Sequence, residues 1–580
     1  MKRIHLLGFA ALFFFVSSYF FVFSPRVIAT SATLYESTGS KSVQLPYQGS
    51  DVAAGFDIRA IIARSIIDTG FIKITPDDCL ESLQINYVPV PLPPGSERCD
   101  YRNGLVIDAR NFLSEGDNVF LLKLLNKGGP AGLRLENAKL GLSYIVCASA
   151  LVVSSMLFFP LALFFFGCPA SQALMLSLGL AISSLYLVKT DALVRGYDVD
   201  GHIAHIEKVQ KGNLLPKTSE CWQCYHPPVY YWTAALAALP FHVSGHLLEK
   251  FYQWLSYAFY LSFVIVSLLL INRLLPIGPG WLLANILLIF WPAGFLRASA
   301  IGNDVLLYLF AALQFYFLWA WIQTRSEKNL WFSLAFLFLA IFTKSNGILL
   351  AVPLLCALVH MVAEGRFKVR SRKFLFPTCF VVLSGLLAGW LSISKGDFLT
   401  RFQSLNYGLM VSNSPKSFLF FDAVDYFTNP YTSAWADVGG RQYFWNYLAK
   451  TSLFGEFDFL AGNHFLSFLA LILSALLIAV LVFVVLVVAV RNSVLFSELL
   501  PCVSLIFAGF FGLVFLRIVV PFSCSGDFRY IHFIVLPFAI LSGLVYDRCN
   551  VPFLRLCMMI SVVGFGLSSA LFYGYFVIVS

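Results

Sequence analysis

Two aspartates, Asp198 and Asp200, precede a short segment whose residue types could carry out proton transfer. Residues 200–211 place apolar side chains at helical spacing, which predicts a short amphipathic helix lying along a membrane surface. A carboxylate held at the boundary between water and lipid can deprotonate the hydroxyl of an acceptor. Asp is also a preferred residue at a helix N-terminus, so either carboxylate could instead cap the helix. The two roles do not exclude each other, and one cap does not need two carboxylates.

The composition indicates that a membrane surrounds most of the chain. Of the 580 residues, 59% are hydrophobic and 12% are charged, and the mean hydropathy is +0.78. Soluble domains have about 45–50% apolar and about 25% charged residues. The formal net charge of +9 comes from basic residues scattered through short loops, where they set the orientation of a membrane protein. This scattering argues against a nucleic-acid partner, which would need a clustered basic patch.

Apolar runs long enough to cross a bilayer predict about 13 transmembrane helices. They lie at residues 8–24, 142–166, 170–188, 252–272, 279–297, 305–322, 329–343, 346–363, 374–394, 464–490, 497–519, 531–546 and 552–578. A further apolar stretch at 227–243 is short and opens with two prolines. If this stretch crossed the bilayer, the basic loops that follow it would face outside. It is therefore predicted to lie on the outer surface of the membrane.

Under this topology three long stretches face outside, at residues 25–141, 189–251 and 395–463. Every polar residue singled out for chemistry lies on that same side. Short loops with few cysteines and a short basic N-terminus favour a bacterial inner membrane, with the active site facing the periplasm. The endoplasmic reticulum would give the same topology and the same oxidising conditions.

Three domains are predicted from the order of these segments. Residues 1–29 have a basic start and an apolar run, which predicts an N-terminal membrane anchor; a cleavable signal begins alike, but no clear small-residue cleavage site follows. Residues 30–141 alternate apolar and polar side chains in short runs, which predicts an extracytoplasmic β-sandwich. Within it, residues 103–123 resemble the end of a galactose-binding-like jelly roll, so the domain could bind carbohydrate or serve as a docking cap. Residues 142–580 form the predicted α-helical membrane domain.

Four cysteines fall in the predicted outer segments. Cys79 and Cys99 are the two cysteines of the β-domain and are predicted to form a disulfide on the oxidising side. Cys221 and Cys224 form a Cys-x-x-Cys pair, for which a disulfide is also the favoured prediction. There are two alternatives. The pair could bind zinc together with His202 or His205, or both thiols could be free.

Several short motifs resemble those of the GT-C superfamily of glycosyltransferases, most closely the protein O-mannosyltransferases (family 39) and the bacterial lipid A aminoarabinose transferases. The motifs are Tyr-Asp-x-x-Gly-His at 197–202, Gly-Asn-Leu-Leu-Pro at 212–216, His-Pro-Pro-Val-Tyr-Tyr at 226–231, Ile-Gly-Asn-Asp at 301–304, Phe-Thr-Lys-Ser-Asn at 342–346 and Asp-Phe-Arg-Tyr at 527–530. The resemblance runs in order from about residue 170 to 546. Many relatives have adjacent Asp-Glu where this chain has Asp198-Val-Asp200, and the loop at 395–463 matches no family motif.

The resemblance implies an inverting transfer of a sugar from a polyprenyl-phosphate donor to an acceptor on the outer side of the membrane. Asp198 would be the general base, with Asp200 as the second candidate. The residues expected to bind the acceptor or the rest of the substrate are His202, His226, Tyr230 and Asp304. The acceptor could be a lipid, a glycan or a protein, and membrane lipids surround the whole domain.

The leaving phosphate of such a donor needs fixed positive charge, because it develops in a poorly hydrated site. The residues carried over from the family motifs are Lys344 and Arg529, with Tyr530 completing the second motif. Arg297 is a weaker candidate. Each cation could instead extend its charged end from the apolar region to the interface without any catalytic role.

No cofactor is expected. Asp198, Asp200 and Asp304 could together hold Mg²⁺ or Mn²⁺, since these ions prefer oxygen ligands. Some GT-C enzymes depend on a metal, whereas those like family 39 generally do not, so the prediction is a site without metal.

Other functions remain open for a chain of this kind. A transporter or flippase would also have many spans, but it tends to carry ionisable residues at mid-span and inverted repeats of its helices. A polymerase or ligase of surface polysaccharide would share the same donor chemistry. A non-catalytic scaffold for the β-domain is the remaining alternative.

Overall fold

The structure is a computed structural model of the 580-residue chain. It describes most residues from 28 to 579 and part of 9–17. The longer segments outside the described residues are 1–8, 18–27, 50–53, 101–103, 128–130, 139–145, 162–166, 241–245, 397–409, 433–442, 460–463 and 492–494, and single or paired residues are also left out elsewhere. The chain divides into two compact units, residues 1–173 with 243–250, and residues 174–242 with 251–580.

The described residues of the first unit form ten strands in two antiparallel sheets. The strands are β1 (Thr30–Glu36), β2 (Gly39–Leu45), β3 (Tyr47–Gly49), β4 (Gly55–Ala63), β5 (Phe71–Pro76), β6 (Cys79–Ile85), β7 (Val88–Pro89), β8 (Leu105–Asp108), β9 (Asp117–Leu125) and β10 (Ala131–Asn137). One sheet has the order β2-β1-β4-β9-β6-β7, and the other has the order β3-β10-β5-β8.

The two sheets share one hydrophobic core. Along β4 the side chains alternate between exposed and buried, so that Phe56, Ile58, Ala60 and Ile62 all point inward. They belong to the same buried cluster as residues of β5 and β10 from the other sheet. Two antiparallel sheets around one core are compatible with a β-sandwich. The sandwich, its jelly-roll connectivity and a carbohydrate-binding role stay predictions.

A disulfide joins the start of β6 to the turn after β7. Cys79 and Cys99 are bonded, and the loop that they close contains a short 3₁₀ helix at Gly95–Cys99. The bond ties an otherwise irregular connection to the edge of the six-stranded sheet.

The second unit is helical. Its helices, two of which (α1 and α5) begin in residues of the first unit, are α1 (Ala170–Lys189), α2 (Ala192–Arg195), α3 (Val199–Gln210), α4 (Val229–Ala238), α5 (His246–Leu274), α6 (Pro279–Ile289), α7 (Pro292–Arg297), α8 (Asn303–Thr324), α9 (Glu327–Thr343), α10 (Ala351–Ala363), α11 (Arg372–Lys395), α12 (Pro415–Leu419), α13 (Ala423–Thr428), α14 (Phe444–Phe454), α15 (His464–Arg491), α16 (Leu495–Val519), α17 (Val535–Arg548) and α18 (Pro552–Val579).

Nine helices within the described residues are long and apolar enough to cross a membrane. They are Ala170–Lys189, Leu248–Leu274, Asn303–Thr324, Ser345–Ala363, Arg372–Lys395, His464–Val487, Leu499–Val519, Cys524–Arg548 and Pro552–Val577. Each matches a span expected from the sequence. The chain is therefore a multi-pass integral membrane protein.

The other four expected spans differ in their outcome. Those at 8–24 and 142–166 lie largely outside the described residues. The span at 279–297 is two shorter helices, because α6 ends at Ile289 and Pro292 starts α7 without an N–H donor to continue the ladder. The span at 329–343 is α9, a helix of 17 residues. The total of about 13 spans is thus not reproduced by the described residues.

The stretch at 227–243 forms α4, a helix of 10 residues. This length is about half of what a membrane crossing needs. A helix this short is compatible with the prediction that the stretch lies along the membrane rather than across it. Its orientation to the membrane is not tested by the structure.

Candidate functional site

Several of the motifs singled out in the sequence come together at one end of the helical unit. Helices α8 and α9 pack side by side as a hairpin, so the start of α8 and the end of α9 lie at the same end. There Asn303 donates a hydrogen bond to the carbonyl of Thr343 at 3.3 Å. The Tyr308 hydroxyl donates to the carbonyl of Arg529 at 2.6 Å, and Asn346 donates to the carbonyl of the residue that follows Arg529. Three turns that are far apart in sequence are therefore held together by hydrogen bonds to the backbone.

Asp198 lies in a strained turn and is turned toward this cluster. Gly196 allows the tight turn between α2 and α3, because a side chain there would collide with the carbonyl of Ala192. Asp198 then has a φ of 52°, in the left-handed region that few residues other than glycine adopt. Its side chain makes no capping hydrogen bond to α3, accepts one from Trp222 Nε1 at 3.4 Å, and lies 4.0 Å from the guanidinium of Arg529. A strained residue that leaves its cap unmade is a candidate for function.

Asp200 has a different environment in the first turn of the same helix. Burial raises the pKa of its carboxyl group, while the backbone N–H groups of Gly201 and Asp200 act in the opposite direction. A negative charge beside these N–H groups is favourable at a helix N-terminus. Asp200 therefore lies where a carboxylate stabilises the start of a helix, whereas the side chain of Asp198 makes no capping hydrogen bond.

Arg529 is held between two tyrosine rings. Its guanidinium lies 4.1 Å from the ring centroid of Tyr197 and 4.9 Å from that of Tyr530, and it donates a hydrogen bond to the Tyr530 hydroxyl at 3.0 Å. The Nε atom is 3.6 Å from Asp527. These contacts fix a cation beside Asp198, as cation–π contacts and ion pairs together can do.

Arg297 also contacts Tyr197, with its guanidinium 4.6 Å from the centroid of the ring. Its side chain is 1% exposed, and it donates to the Tyr197 hydroxyl at 3.1 Å while lying 3.7 Å from Asp527. Because its charge is used by these two residues and it does not reach the surface, a direct contact with a phosphate is not available to it. The structure makes Arg297 a support for Tyr197.

Lys344 and Asp304 form a close ion pair at the start of α8. The Lys344 Nζ atom is 2.5 Å from the Asp304 carboxylate and 4.8 Å from the ring of Tyr530. Burial lowers the pKa of Lys344, while the Asp304 carboxylate acts in the opposite direction. Lys344 and Arg529 therefore both lie within 5 Å of the Tyr530 ring, at 4.8 Å and 4.9 Å from its centroid.

The histidines and the tyrosine expected to contact substrate lie around α4, where His202 and Tyr230 are buried and His226 is half-buried. His202 Nδ1 lies 2.9 Å from the Tyr231 hydroxyl, and burial together with the charge of Lys344 lowers the pKa of His202 to about 3. Burial likewise lowers the pKa of His226 far below its usual range. Tyr230 is fully buried against His202. At neutral pH these histidines are uncharged hydrogen-bonding groups, not cations.

Glu456 is a site residue that sequence reasoning missed. It lies in the loop at 395–463, and its backbone N–H donates to the Tyr197 hydroxyl at 3.1 Å. The preceding Gly455 has a φ of 63°, and a side chain there would collide with the same hydroxyl. Burial, and next the charge of Asp527, raise the pKa of Glu456 to about 8. In the sequence, the available signal was an acidic residue directly after Gly455, at the end of the segment that forms α14.

The protonation of Glu456 predicts a pH dependence of stability. Its carboxyl group would release its proton near pH 4.5 in the unfolded chain but near pH 8 in the native protein. Between these values the native state binds more protons than the unfolded state, so stability is lost as the pH rises toward 8. The variant Glu456→Gln stays neutral and lacks this loss. The thermal unfolding temperature of the variant, relative to that of the wild type, should increase between pH 6 and pH 8. Unfolding temperatures that change in parallel with pH in the two proteins would contradict the assignment.

A sulfur-rich cluster lies beside α3. Cys221 and Cys224 are bonded to each other, and His205 is the third member of the one group in the described part of the chain whose ligand atoms lie close enough to hold a metal ion. Asp198, Asp200 and Asp304 do not form such a group. With both thiols in a disulfide, His205 has no thiolate beside it for zinc to bind.

No protein-family model matches the sequence, and no curated protein matches it. Among solved structures the chain is similar to ArnT from Cupriavidus metallidurans in the apo state, with 13% identity and a TM-score of 0.37 over 69% of this chain and 75% of that chain. ArnT from the same organism bound to undecaprenyl phosphate has the same identity and TM-score, over 70% and 76%.

The arabinosyltransferase EmbB from Mycobacterium smegmatis is also similar, with 13% identity and a TM-score of 0.36. The match covers 93% of this chain and 53% of EmbB, so the chain spans about half the length of EmbB. ArnT, a lipid A aminoarabinose transferase, and EmbB both have the GT-C fold. The function proposed for the site therefore rests on this chain's own residues.

Proposed function

We propose that the chain is a membrane glycosyltransferase that transfers a sugar from a polyprenyl-phosphate donor to an acceptor on the extracytoplasmic side. The observation that supports this best is the pairing of Asp198 with Arg529 at 4.0 Å, in a cluster that also holds Lys344. A carboxylate that can take a proton and cations that can hold a phosphate are the two groups such a reaction requires.

Exposure separates Asp198 from the other carboxylates of the cluster. Its side chain is 39% exposed, whereas that of Asp304 is 16% exposed and that of Asp527 is fully buried. Asp304 and Asp527 are each paired with a cation at shorter distance. Of these three carboxylates, Asp198 is therefore the one that an acceptor hydroxyl can approach from solvent. Asp200 is exposed as well and is the second candidate for the base.

The proposed reaction is a single displacement. Asp198 takes the proton of the acceptor hydroxyl as its oxygen attacks the anomeric carbon of the donor. The bond between that carbon and the phosphate oxygen breaks, and the polyprenyl phosphate leaves with the bonding electrons. Attack on the face opposite the leaving group inverts the anomeric centre.

Arg529 and Lys344 are proposed to bind the phosphate. Both cations contact Tyr530, which keeps them close to one another. Cations held in place before the reaction stabilise the charge that develops on the leaving oxygen without first reorganising. Arg297 supports this pair from behind through Tyr197.

His202 and His226 are proposed to orient the substrate as neutral groups. Their rings face each other with centroids 5.9 Å apart, and Tyr231 fixes one of them through a hydrogen bond. Tyr230 packs against His202, with ring centroids 6.3 Å apart, and would help to hold that imidazole in position. A neutral imidazole can donate to and accept from sugar hydroxyls.

The proposal is tested by incubating the purified full chain with a panel of polyprenyl-phosphate sugars and measuring the polyprenyl phosphate that is released. Release from at least one donor in the presence of acceptor, with inversion at the anomeric carbon of the product, is the expected result. Retention of configuration would contradict the single displacement. Movement of intact lipid-linked sugar across a vesicle membrane without any release would favour a flippase instead.

A further inference from the structure

The other end of the helical unit contains a cavity that the proposed reaction does not use. The cavity measures about 1000 Å³ and lies between the beginning of α9 and the beginning of α11. Helix α8 starts at the proposed active site and ends at Arg325 beside this cavity. Its 22 residues span roughly 33 Å at 1.5 Å per residue, about the thickness of the hydrocarbon core of a bilayer.

Four cations line this cavity: Arg325, Arg366, Arg372 and Lys373. Burial, and next the charge of Arg366, lower the pKa of Arg325, which shows that the cations crowd one another. Two carboxylates lie near them. Glu364 is 2.5 Å from Arg366, and Glu327 is 3.9 Å from Lys373. Four positive charges against two negative ones leave the cavity with a positive excess.

The existing ion pairs do not close the site to a ligand. The side chains of Arg366 and Lys373 are 50% and 65% exposed, and Glu327 is 71% exposed. Exposed pairs of this kind contribute little, so an incoming anion can replace a carboxylate at small cost. The first turns of α9 and α11 add further positive potential, because neither helix has a side-chain cap at its N-terminus.

The rest of the cavity is apolar and open to the bilayer. Trp331 and Phe376 pack with ring centroids 4.6 Å apart, and their side chains are 54% and 42% exposed. Leu334 forms part of the floor. A soluble anion would gain nothing from these aromatic surfaces, whereas a molecule with a charged head and a hydrocarbon tail would use both parts.

We propose that this cavity binds an anionic phospholipid of the surrounding leaflet, with its phosphodiester among the four cations and its chains along Trp331 and Phe376. The topology predicted from the basic loops puts this leaflet on the cytoplasmic side. Helices α9 and α11 end at Thr343 and Lys395, next to the proposed active site. Thr343 directly precedes Lys344, and Lys395 donates a hydrogen bond to the His226 carbonyl at 2.7 Å. A lipid between the beginnings of the two helices would therefore brace helices whose other ends contact that site.

The test uses the full chain in a neutral detergent and counts retained lipids by native mass spectrometry. Phosphatidylglycerol is the anionic probe, and phosphatidylcholine is the zwitterionic control. The variant Arg366→Gln/Arg372→Gln removes two cations of the cavity. Its matched control is Lys368→Gln/Arg370→Gln, which removes two exposed cations of the same loop that do not line the cavity.

Wild type and the control variant should retain phosphatidylglycerol in preference to phosphatidylcholine. The cavity variant should bind phosphatidylglycerol about 30-fold more weakly, since each basic residue beside an anionic headgroup contributes a factor of roughly five. Equal losses in both variants would overturn the proposal, because they would reflect the charge of the loop as a whole. Equal binding of the two lipids would overturn it as well. So would displacement of bound phosphatidylglycerol by inorganic phosphate at the same concentration as by free phosphatidylglycerol, because the apolar surfaces would then contribute nothing. None of these outcomes depends on which donor the active site uses.

Discussion

Replacing Asp198 by Asn is expected to reduce sugar transfer by about 100-fold or more while leaving the fold intact. The substitution keeps the shape of the side chain and the contact with Trp222, but an amide cannot accept the proton of the acceptor hydroxyl. General-base catalysis by a positioned side chain contributes typically about 10²- to 10⁴-fold to a rate. The measurement is the rate of polyprenyl-phosphate release at saturating donor, where the loss should appear in kcat.

Asp200→Asn is the matched control for this variant. Asp200 holds the first turn of α3, so its replacement should lower stability by about 0.3–1 kcal/mol and leave the rate of release within a few-fold of wild type. A large loss in Asp200→Asn together with a normal rate in Asp198→Asn would reverse the assignment of the base. Equal large losses in both would mean that the two carboxylates act as one unit.

Replacing Lys344 by Met is expected to damage both stability and transfer. The pair with Asp304 is nearly buried, with the two side chains 8% and 16% exposed, and the substitution leaves the Asp304 carboxylate without its cation. Breaking a buried pair by removing one partner costs about 3–5 kcal/mol. The same change removes one of the two cations proposed to hold the leaving phosphate. Thermal unfolding and the rate of polyprenyl-phosphate release measure the two effects separately.

The double variant Asp304→Asn/Lys344→Met separates the two roles. It removes both charges, so most of the lost stability should return. Transfer should stay reduced by about 100-fold, since a preorganised donor at a developing charge is worth about 10²- to 10³-fold. Recovery of both stability and transfer would show that Lys344 serves only to neutralise Asp304, and the phosphate would then depend on Arg529 alone.

Most of the fold was predictable because membrane spans are a matter of length and composition. Nine expected spans coincide with helices of the structure, and the loops between them contain the motifs that the sequence singled out. The span expected at 279–297 was wrong in detail, because hydropathy does not register that Pro292 starts a new helix after Ile289. The alternation in residues 30–141 predicted strands, whereas the order of strands in each sheet depends on contacts far apart in sequence.

The candidate site could be predicted where a charged residue lies within a recognisable sequence motif. It could not be predicted where the position of a residue depends on packing. Asp198, Lys344 and Arg529 could be named from motifs, and the structure places them in one cluster. Glu456 could not, since its position against Tyr197 follows from the path of a loop without a known motif. Arg297 was the weaker candidate for the phosphate in the sequence, and its burial beside Tyr197 and Asp527 depends on packing that no motif predicts.

The most direct test of the central claim is a comparison of undecaprenyl phosphate with undecaprenol for binding to the wild-type chain. It requires no knowledge of the sugar or of the acceptor. Charge-assisted hydrogen bonds from Arg529 and Lys344 should make the phosphate bind at least about tenfold more tightly than the alcohol, since such bonds contribute about 1.5–3 kcal/mol each. Equal affinity for the two lipids, or no binding of either, would contradict a polyprenyl-phosphate site in this cluster.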